Sequence, residues 1–306
     1  MTHTPTVRCG SDERTHDQVR LRAARLATGL AALGLAHGDR YAIVMRNEIA
    51  FLEATMAGAA IGAVPVPVNW HWTGEDLAYL LHDSDSKLAF VHTDLLPAVE
   101  AVLPAGMTII EVAVPADVAA AYGQAPSAPT GRYRDLETVI AENEPLTDPV
   151  TEPALGVIYT SGTTGRPKGI LRQPVSPQDS ALIGAAMIET MAMTPGARTL
   201  IPAPIYHTAP NAHAVFAIAL GMDLEIMPKF DAEALLALIE ERRIEHIQMV
   251  PTMFVRLLKL PAEVRNRYDL SSVKAIVHAA APCPPEVKRA MIDWLGPIIH
   301  EYYGGS

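Results

Sequence analysis

The spacing of apolar residues switches repeatedly between a helical and an extended period along the chain. Val19, Ala23, Leu26, Leu30 and Leu33 fall on one helical face, which predicts a helix that the following glycine can end. Further on, the pattern predicts a strand at 41–45, a helix at 49–62, an extended segment at 63–68, a helix to about 83 that Thr73 and Asp76 could cap, and strands at 88–91 and 108–112.

Residues 113–153 have a different composition, because Pro, Ala, Ser and Thr dominate and little periodicity remains. We interpret this segment as a surface connection with one short helix at 135–141. The alternation then resumes. It predicts helices at 178–193, 209–219, 231–242, from 252 onward and at 284–294, and strands at 198–202, 223–227, 244–249 and 273–278.

Strands that alternate with helices are typical of parallel sheets flanked by helices. The predicted fold class is therefore α/β, with mostly parallel sheets. Because so many strand–helix units follow one another, we expect two adjoining layered subdomains of the αβαβα type rather than one sheet. Their approximate bounds are 36–185 for one and 1–35 plus 186–306 for the other.

Composition narrows the functional classes. The 306 residues are 49% hydrophobic and 19% charged, which suits a globular protein with a large core. The net charge of −10 provides no basic surface for nucleic acid. No apolar run is long enough to cross a membrane, and the polar start of the sequence predicts no secretory leader. Cys9 and Cys283 lie far apart, and we interpret them as thiols of a cytoplasmic protein.

The most informative segment is 159–169, Tyr-Thr-Ser-Gly-Thr-Thr-Gly-Arg-Pro-Lys-Gly. Glycines let the backbone approach an anion closely, hydroxyls donate hydrogen bonds to it, and Lys168 adds a mobile positive charge. These are the properties of a polyphosphate-binding loop. Because the preceding residues 155–159 are apolar and β-prone, we expect the loop to leave the end of a buried strand, where α/β folds place ligand sites.

The segment does not match the loop of P-loop NTPases, which requires Gly-Lys-Ser/Thr four residues after its first glycine. Here Gly162 is followed by four residues and then by Pro167, and Gly169 follows the lysine. A P-loop NTPase or kinase is therefore disfavoured. An ordinary surface turn does not explain eleven such residues in this order.

The segment resembles, almost residue for residue, the phosphate loop of adenylate-forming enzymes: acyl-CoA synthetases, luciferases and peptide-synthetase adenylation domains. The resemblance implies that the loop binds the β- and γ-phosphates of ATP. It also implies a catalytic role for Lys168 and a Mg²⁺ contact for Thr164. The nucleotide-binding residues that it implies here are Thr160, Ser161, Gly162, Thr163, Thr164, Gly165 and Lys168.

A second segment, residues 203–210, resembles the aromatic-His segment of the same family, which lies near the carboxylate and thiol ends of its site. His207 would gate access to the site or contact the acid, and we treat it as catalytic. The alternative, a loop histidine satisfied by backbone groups, stays open. The acid-binding residues implied by the resemblance are His207, Asn211, Met249 and Thr252.

A third segment, His300-Glu-Tyr-Tyr-Gly-Gly-Ser306, resembles the family's Tyr-Gly-x-Thr-Glu segment, with serine in the threonine place. The resemblance implies that Tyr303 covers the adenine and that Ser306 contacts the α-phosphate, with Tyr302 and Gly304 beside them. A small-residue loop of the family, which makes room for the purine, is matched by Ala279, Ala280, Ala281 and Pro282.

The resemblance implies ATP-dependent activation of a fatty or other hydrophobic carboxylic acid to an acyl-adenylate, followed by transfer to coenzyme A. Arg172, Gln173 and residues 207–210 bring to mind the branch with bile-acid and fatty-acid CoA ligases. Family members continue with a metal-binding glutamate, a barrel-like subdomain and a mobile C-terminal domain that carries a lysine. We therefore expect this chain to be an N-terminal portion with weak or absent turnover.

Two alternatives remain at this point. The acceptor could be the thiol of a carrier protein instead of coenzyme A. The chain could also be a noncatalytic nucleotide- or acyl-binding module, although the intact phosphate loop, with Lys168 and all its hydroxyls, argues against long decay. The sequence does not fix the oligomeric state, and a homodimer is one option.

Overall fold

A computed structural model describes residues 3–150, 157–160, 168–170 and 176–303. Its strands, numbered along the chain, are β1 (Thr6–Cys9), β2 (Asp12–Thr15), β3 (Arg40–Val44), β4 (Val64–Pro67), β5 (Ser86–His92), β6 (Thr108–Val112), β7 (Arg134–Asp135), β8 (Ile158–Thr160), β9 (Lys168–Ile170), β10 (Arg198–Ile201), β11 (Asp223–Ile226), β12 (His246–Met249), β13 (Ala275–His278) and β14 (Ile299–Glu301).

The helices are numbered in the same way. They are α1 (His16–Ala32), α2 (Ile49–Ala60), α3 (Gly74–Asp83), α4 (Leu96–Glu100), α5 (Ala116–Ala121), α6 (Leu136–Ala141), α7 (Pro177–Thr190), α8 (Thr208–Ala219), α9 (Ala232–Arg242), α10 (Pro251–Leu258), α11 (Ala262–Arg265) and α12 (Pro285–Leu295). None of these described helices combines the length and the apolarity that a bilayer crossing requires.

The contacts divide the chain into two compact units. One unit consists of the described residues up to His16 and from Gln178 onward, and the other is Asp17–Pro177. Residues 17–35 thus cluster with the second unit, whereas the predicted subdomain bounds group them with 186–306. The reason is that Arg22 on α1 hydrogen-bonds Glu53 and Glu137, at 2.8 Å and 2.9 Å respectively.

The first unit is built on a sheet of seven described strands in the order β14-β13-β12-β10-β11-β1-β2. Every neighbouring pair is parallel except β1 and β2. One face of the sheet packs against α9, α10 and α12 over an apolar core that includes Ile247, Phe254 and Leu236. At the start of α9, the Asp231 carboxylate caps the helix by accepting hydrogen bonds from two backbone N–H groups.

The second unit contains a parallel sheet of five described strands in the order β4-β3-β5-β6-β7. Proline has no N–H to donate to a neighbouring strand, which fits the position of β4, with Pro65 and Pro67, at the sheet edge. Helix α2 approaches β3 closely at Gly58. A Cβ there would lie 2.1 Å from the hydroxyl of the buried Tyr41, so this helix position requires glycine.

The predicted fold class is confirmed, since strands alternate with helices along the chain and the seven-stranded and five-stranded sheets are mostly parallel. The interpretation of residues 113–153 as a surface connection is wrong in part. The segment also contains α5 and β7, and Val114, Val118 and Ala119 are buried. Thr73 stands at the N-cap position of α3, as predicted, but its side chain makes no capping hydrogen bond.

The strand before the phosphate loop also differs from the expectation. It was predicted to be a buried strand of an α/β sheet, but β8 pairs only with β9 among the described strands, in an antiparallel ribbon. Tyr159 is half-buried there, and its hydroxyl donates to Asp83 at 2.7 Å. The ribbon lies beside β4, and the backbone N–H of Val157, just before β8, donates to the carbonyl of Pro65 at 3.0 Å.

Candidate active site

Most of the predicted acid- and adenine-binding residues lie at one edge of the seven-stranded sheet. Strands β10, β12, β13 and β14 are parallel, so their carboxyl ends meet at the same edge. The strand register places Met249 beside His278, and His278 beside Glu301. The segments that follow these strands carry the predicted residues, which is the usual place for a ligand site in a parallel α/β sheet.

His207 stands at the N-cap of α8, where the chain is still extended. Its ring lies 4.4 Å from that of Tyr206, centroid to centroid. The side chain is exposed, yet the surrounding protein atoms lower the pKa of His207 by desolvation. The imidazole is therefore neutral near pH 7 and can accept or donate a hydrogen bond. Asn211, one turn along α8, donates from Nδ2 to the carbonyl of Ile205 at 3.2 Å and fixes the approach to the helix.

Met249 and Thr252 belong to the turn between β12 and α10. Met249 ends the strand and is completely buried in the apolar core, while Thr252 is exposed in the first turn of the helix. Pro251 sits in that first turn, where the absence of an N–H costs nothing. The sheet edge thus has a buried apolar floor and an exposed hydroxyl beside it.

The small-residue loop after β13 is open to solvent. Ala279 is buried, but Ala280, Ala281 and Pro282 are exposed. Ala280 has a φ of 73°, a left-handed conformation that costs an L-residue about 1–2 kcal/mol. Burial raises the pKa of the Cys283 thiol. The loop presents small side chains and a strained backbone beside the end of β14.

The two predicted adenine-site tyrosines differ in exposure. Tyr302 is half-buried, its pKa is raised by burial, and its backbone N–H donates to the His278 carbonyl at 3.2 Å. Tyr303 is 99% exposed, so its ring is available for stacking on a flat ligand. The remaining predicted residues of this segment, Gly304 and Ser306, lie outside the described residues.

The centre of the phosphate loop also lies outside the described residues. This applies to Ser161, Gly162, Thr163, Thr164 and Gly165. For Thr160 and Lys168 the structure describes only the backbone, in which they are paired partners in the β8–β9 ribbon. The ribbon therefore brings the two ends of the loop together. Their predicted roles stay predictions.

A metal site finds little support in the described part of the chain. No group of three or more His, Cys, Asp or Glu side chains within residues 3–150, 157–160, 168–170 and 176–303 could hold an ion. The residue predicted to contact Mg²⁺, Thr164, lies outside these ranges. The described residues therefore give Mg²⁺ no independent site of its own.

Sequence reasoning assigned no role to three residues that border the small-residue loop. Glu301 ends β14 and accepts a hydrogen bond from the Lys288 ammonium at 2.6 Å. The Lys288 ammonium, with the backbone N–H of Cys283, lowers the pKa of the Glu301 carboxyl. His278, completely buried, ends the neighbouring strand and packs edge-on against Phe254. Their positions were the sequence signal, since Glu301 stands inside the 300–306 segment and His278 immediately before the small-residue loop.

A buried polar cluster lies on the sheet face that α8 covers. Thr199 Oγ1 lies 2.8 Å from His213 Nε2, and the rings of His213 and His246 stack at 4.8 Å. His246 Nε2 donates to the carbonyl of Met191 at 2.6 Å. Burial lowers the pKa of both histidines, so they are neutral and structural.

The carboxyl edge of the five-stranded sheet has a different chemistry. Arg46, which follows β3, is buried and forms a bidentate pair with Asp94 at 2.9 Å and 2.7 Å. Its guanidinium also lies 4.5 Å from the ring centroid of Trp70. Next to it, the His92 ring hydrogen-bonds Glu48. These groups are paired with one another, although the buried Nε of Arg46 keeps no hydrogen-bond partner among the described residues, and no motif in the sequence pointed to them.

Comparisons with known proteins identify the family of the chain. Residues 2–306 match the family model described as AMP-binding enzyme. The chain is 30% identical over 272 residues to the long-chain-fatty-acid–CoA ligase FadD13 of Mycobacterium tuberculosis, a match that covers 88% of this chain and 50% of the relative. It is 28% identical to the fatty acid–[acyl-carrier-protein] ligase ScoC of Streptomyces coeruleorubidus, covering 91% of this chain and 51% of that protein.

Among solved structures, the inhibitor-bound crystal structure of the N-terminal domain of FACL13 from Mycobacterium tuberculosis superposes with a TM-score of 0.76. It is 26% identical, and the match covers 99% of this chain and 72% of that one. The chain spans about half the length of the curated relatives that it matches.

Proposed function

The chain belongs to the AMP-binding enzyme family, and we propose that it contributes the nucleotide- and acid-binding half of an enzyme that activates a carboxylic acid with ATP and transfers the acyl group to coenzyme A. The observation that carries the proposal is the open carboxyl edge of the seven-stranded sheet, where His207, the 279–282 loop and Tyr303 follow neighbouring parallel strands.

The proposed first step is attack of the acid's carboxylate on the α-phosphorus of ATP, which forms an acyl-adenylate and releases pyrophosphate. Such a reaction needs positioning and charge neutralisation more than covalent help. Lys168 would hold the leaving pyrophosphate, and Tyr303 would stack on the adenine. Ser306 would contact the α-phosphate, as the family resemblance implies. Mg²⁺ would supply further charge neutralisation when it is bound with ATP.

The proposed substrate is a fatty or other hydrophobic acid. The floor of the sheet edge at Met249 is apolar and fully buried, which suits an apolar acyl group. His207 is neutral near pH 7, so it would orient the carboxylate by a hydrogen bond without holding it as a tight ion pair. The stretch 203–216 contains no Asp or Glu to pair with an amino group, which favours a simple acid over an amino acid.

Two acceptors and one noncatalytic role are the alternatives. The relative FadD13 is named as a CoA ligase, and the relative ScoC is named as an acyl-carrier-protein ligase, so both kinds of acceptor occur among proteins similar to this chain. A noncatalytic binding module would keep nucleotide affinity without pyrophosphate release. We favour coenzyme A because Arg172, Gln173 and residues 207–210 resemble the branch of the family that includes bile-acid and fatty-acid CoA ligases.

Thermal unfolding of the chain with Mg-ATP and with non-hydrolysable acyl-adenylate mimics tests the proposal. A ligand at 100 times its Kd stabilises a protein by about 2.7 kcal/mol, which raises the melting temperature by a few degrees. Short, long, aromatic and steroid acyl groups would be compared. A shift confined to one acyl class would identify the acid, and no shift from any mimic would contradict the proposed site in this chain.

Acid-dependent exchange of labelled pyrophosphate into ATP separates the enzyme from the binding module. Exchange indicates the adenylation step, whereas binding without exchange supports the noncatalytic alternative for this chain. If exchange occurs, thioester formation with coenzyme A or with a carrier protein distinguishes the two acceptors.

A further inference from the structure

The Glu301 carboxylate joins the helix that follows the small-residue loop at 279–283 to the strand beside that loop. It accepts a hydrogen bond from the Lys288 ammonium at 2.6 Å, and this ammonium and the backbone N–H of Cys283 lower the pKa of the carboxyl. Lys288 belongs to α12, the helix that follows the loop. Cys283 is the last residue of the loop before Pro284, the N-cap residue of that helix. Glu301 itself ends β14, the strand that leads into Tyr302 and Tyr303. One side chain thus joins both segments that are predicted to contact adenine.

The loop contains backbone strain that such a tie can hold in place. Ala280 has a φ of 73°, in the left-handed region that glycine adopts without cost and alanine does not. An exposed loop would relax out of this conformation unless its neighbours opposed the change. At the start of the loop, the Tyr302 N–H donates to the carbonyl of His278, and beyond its end the Glu301 carboxylate holds Lys288 of α12. The strained residue lies between these two attachments.

We propose that Glu301 is a positioning residue that, together with Lys288, holds Ala280 and the 279–283 loop in the conformation that receives the adenine of ATP. This inference rests on the proposed nucleotide site. It concerns how that site is shaped, and Glu301 touches no reacting atom. The side chains involved are partly exposed, 38% for Glu301 and 29% for Lys288, so they can be replaced without opening a cavity in the core.

Binding measurements on the whole chain test the proposal. Mg-ATP serves as the probe that contains adenine, and magnesium tripolyphosphate as the probe that lacks it. We expect Glu301→Ala to weaken Mg-ATP binding by about 5- to 30-fold, the equivalent of the free energy of one L-residue in the left-handed region. Tripolyphosphate binding should stay within twofold of the wild type, because the phosphate loop is separate in sequence from this contact.

Relief of the strain provides the sharper test. In the Glu301→Ala background, the second substitution Ala280→Gly should restore most of the lost Mg-ATP affinity, because glycine adopts the left-handed conformation freely. Ala280→Gly alone should change the affinity little. Lys288→Met should reproduce part of the Glu301→Ala loss. The matched control is Asp293→Asn, an exposed acid on the same helix, which should leave both probes unaffected.

The outcomes separate this inference from the proposed function. If the wild type binds neither probe, the proposed nucleotide site fails. If the wild type binds Mg-ATP and Glu301→Ala binds it equally well, the positioning role is wrong. The role is also wrong if Glu301→Ala loses affinity for both probes alike, or if Ala280→Gly restores nothing in that background. A loss specific to Mg-ATP with recovery in the double variant supports it.

Discussion

The two parallel sheets end in opposite ways at their carboxyl edges. At the five-stranded sheet, polar groups at the ends of β3 and β5 pair with one another: Arg46 forms an ion pair with Asp94 beside the Trp70 ring, and the His92 ring hydrogen-bonds Glu48. At the seven-stranded sheet, the segments after β13 and β14 expose small side chains and an unstacked tyrosine.

The difference indicates which edge is built to hold a ligand. Both edges have the geometry that favours ligand sites in α/β folds. The Arg46 guanidinium is buried, its charge is matched by a bidentate carboxylate and an aromatic ring covers it, so an incoming ligand finds no exposed charge there. An exposed tyrosine beside three alanines has a free π-face and room for a flat ring. The first edge is thus closed by its own residues, while the second is left open.

The largest predicted effect is on the closed edge. Arg46→Ala leaves Asp94 without its partner in a largely buried position, which should lower the free energy of unfolding by about 3–5 kcal/mol. Urea unfolding followed by circular dichroism measures this loss. Arg132→Ala, which breaks an exposed pair with Glu100, should cost about 1 kcal/mol or less. Equal losses in both variants would contradict the proposed distinction between paired, buried charge and surface charge.

Glu225 is the opposite case to Asp94, because it is a buried carboxylate whose nearest contact to a guanidinium is too long for a hydrogen bond. Glu225 is 6% exposed, and the nearest contact to Arg242 is 3.8 Å. Burial raises its pKa from 4.5 to about 7. Between these values the native state binds more protons than the unfolded state, so the stability contributed by this group is lost as the pH rises through about 7.

Glu225→Gln should therefore stabilise the chain at pH 8 more than at pH 5, by a difference of about 2–3 kcal/mol. Urea midpoints of wild type and variant at the two pH values measure the effect. The exposed Glu241→Gln is the control and should show no such pH dependence. A variant that is equally stable, relative to wild type, at both pH values would show that the carboxylate is ionised in the folded state.

At the phosphate loop, Lys168→Met should weaken Mg-ATP binding by about 10- to 150-fold, because a hydrogen bond to a charged group contributes about 1.5–3 kcal/mol. Isothermal titration calorimetry measures the affinity. The exposed Lys259→Met has the same change in charge and should bind like wild type. Unchanged binding by Lys168→Met would remove the loop from the proposed site.

At the open edge, Tyr303→Ala should weaken Mg-ATP binding by about 5- to 150-fold, the range that base–aromatic stacking provides. The melting temperature should not change, since the ring is 99% exposed and packs against little else. Tyr303→Phe keeps the ring and should keep the affinity. If the phenylalanine variant binds as poorly as the alanine variant, the hydroxyl and not the π-face is the contact.

Much of the fold follows from periodicity alone. Strands such as 108–112 and helices such as 209–219 were predicted nearly to the residue, because their apolar spacing is regular and their ends carry turn signals. The failures have physical causes. Helix α5 is only six residues long, and its alanines carry little periodic contrast. Strand β14 has three residues, and it is defined by its pairing with β13 more than by its own pattern.

The site was predicted through motifs, and the limits of motifs are visible in it. His207, Ala280 and Tyr303 were found because their segments resemble a family pattern. Glu301 was not found, although it stands inside one of those segments, because its role depends on a lysine 13 residues earlier that only the fold brings near. Contacts between distant residues of ordinary type leave no local signal in a single sequence.

Hydrogen exchange of the chain, measured by mass spectrometry with and without a tight acyl-adenylate mimic and Mg²⁺, tests the contrast between the two edges most directly. The account predicts that the mimic slows exchange at 279–283 and 302–303 and leaves 46–48 and 92–94 unchanged. Slower exchange at 46–48 and 92–94, with none at the edge of the seven-stranded sheet, would contradict it.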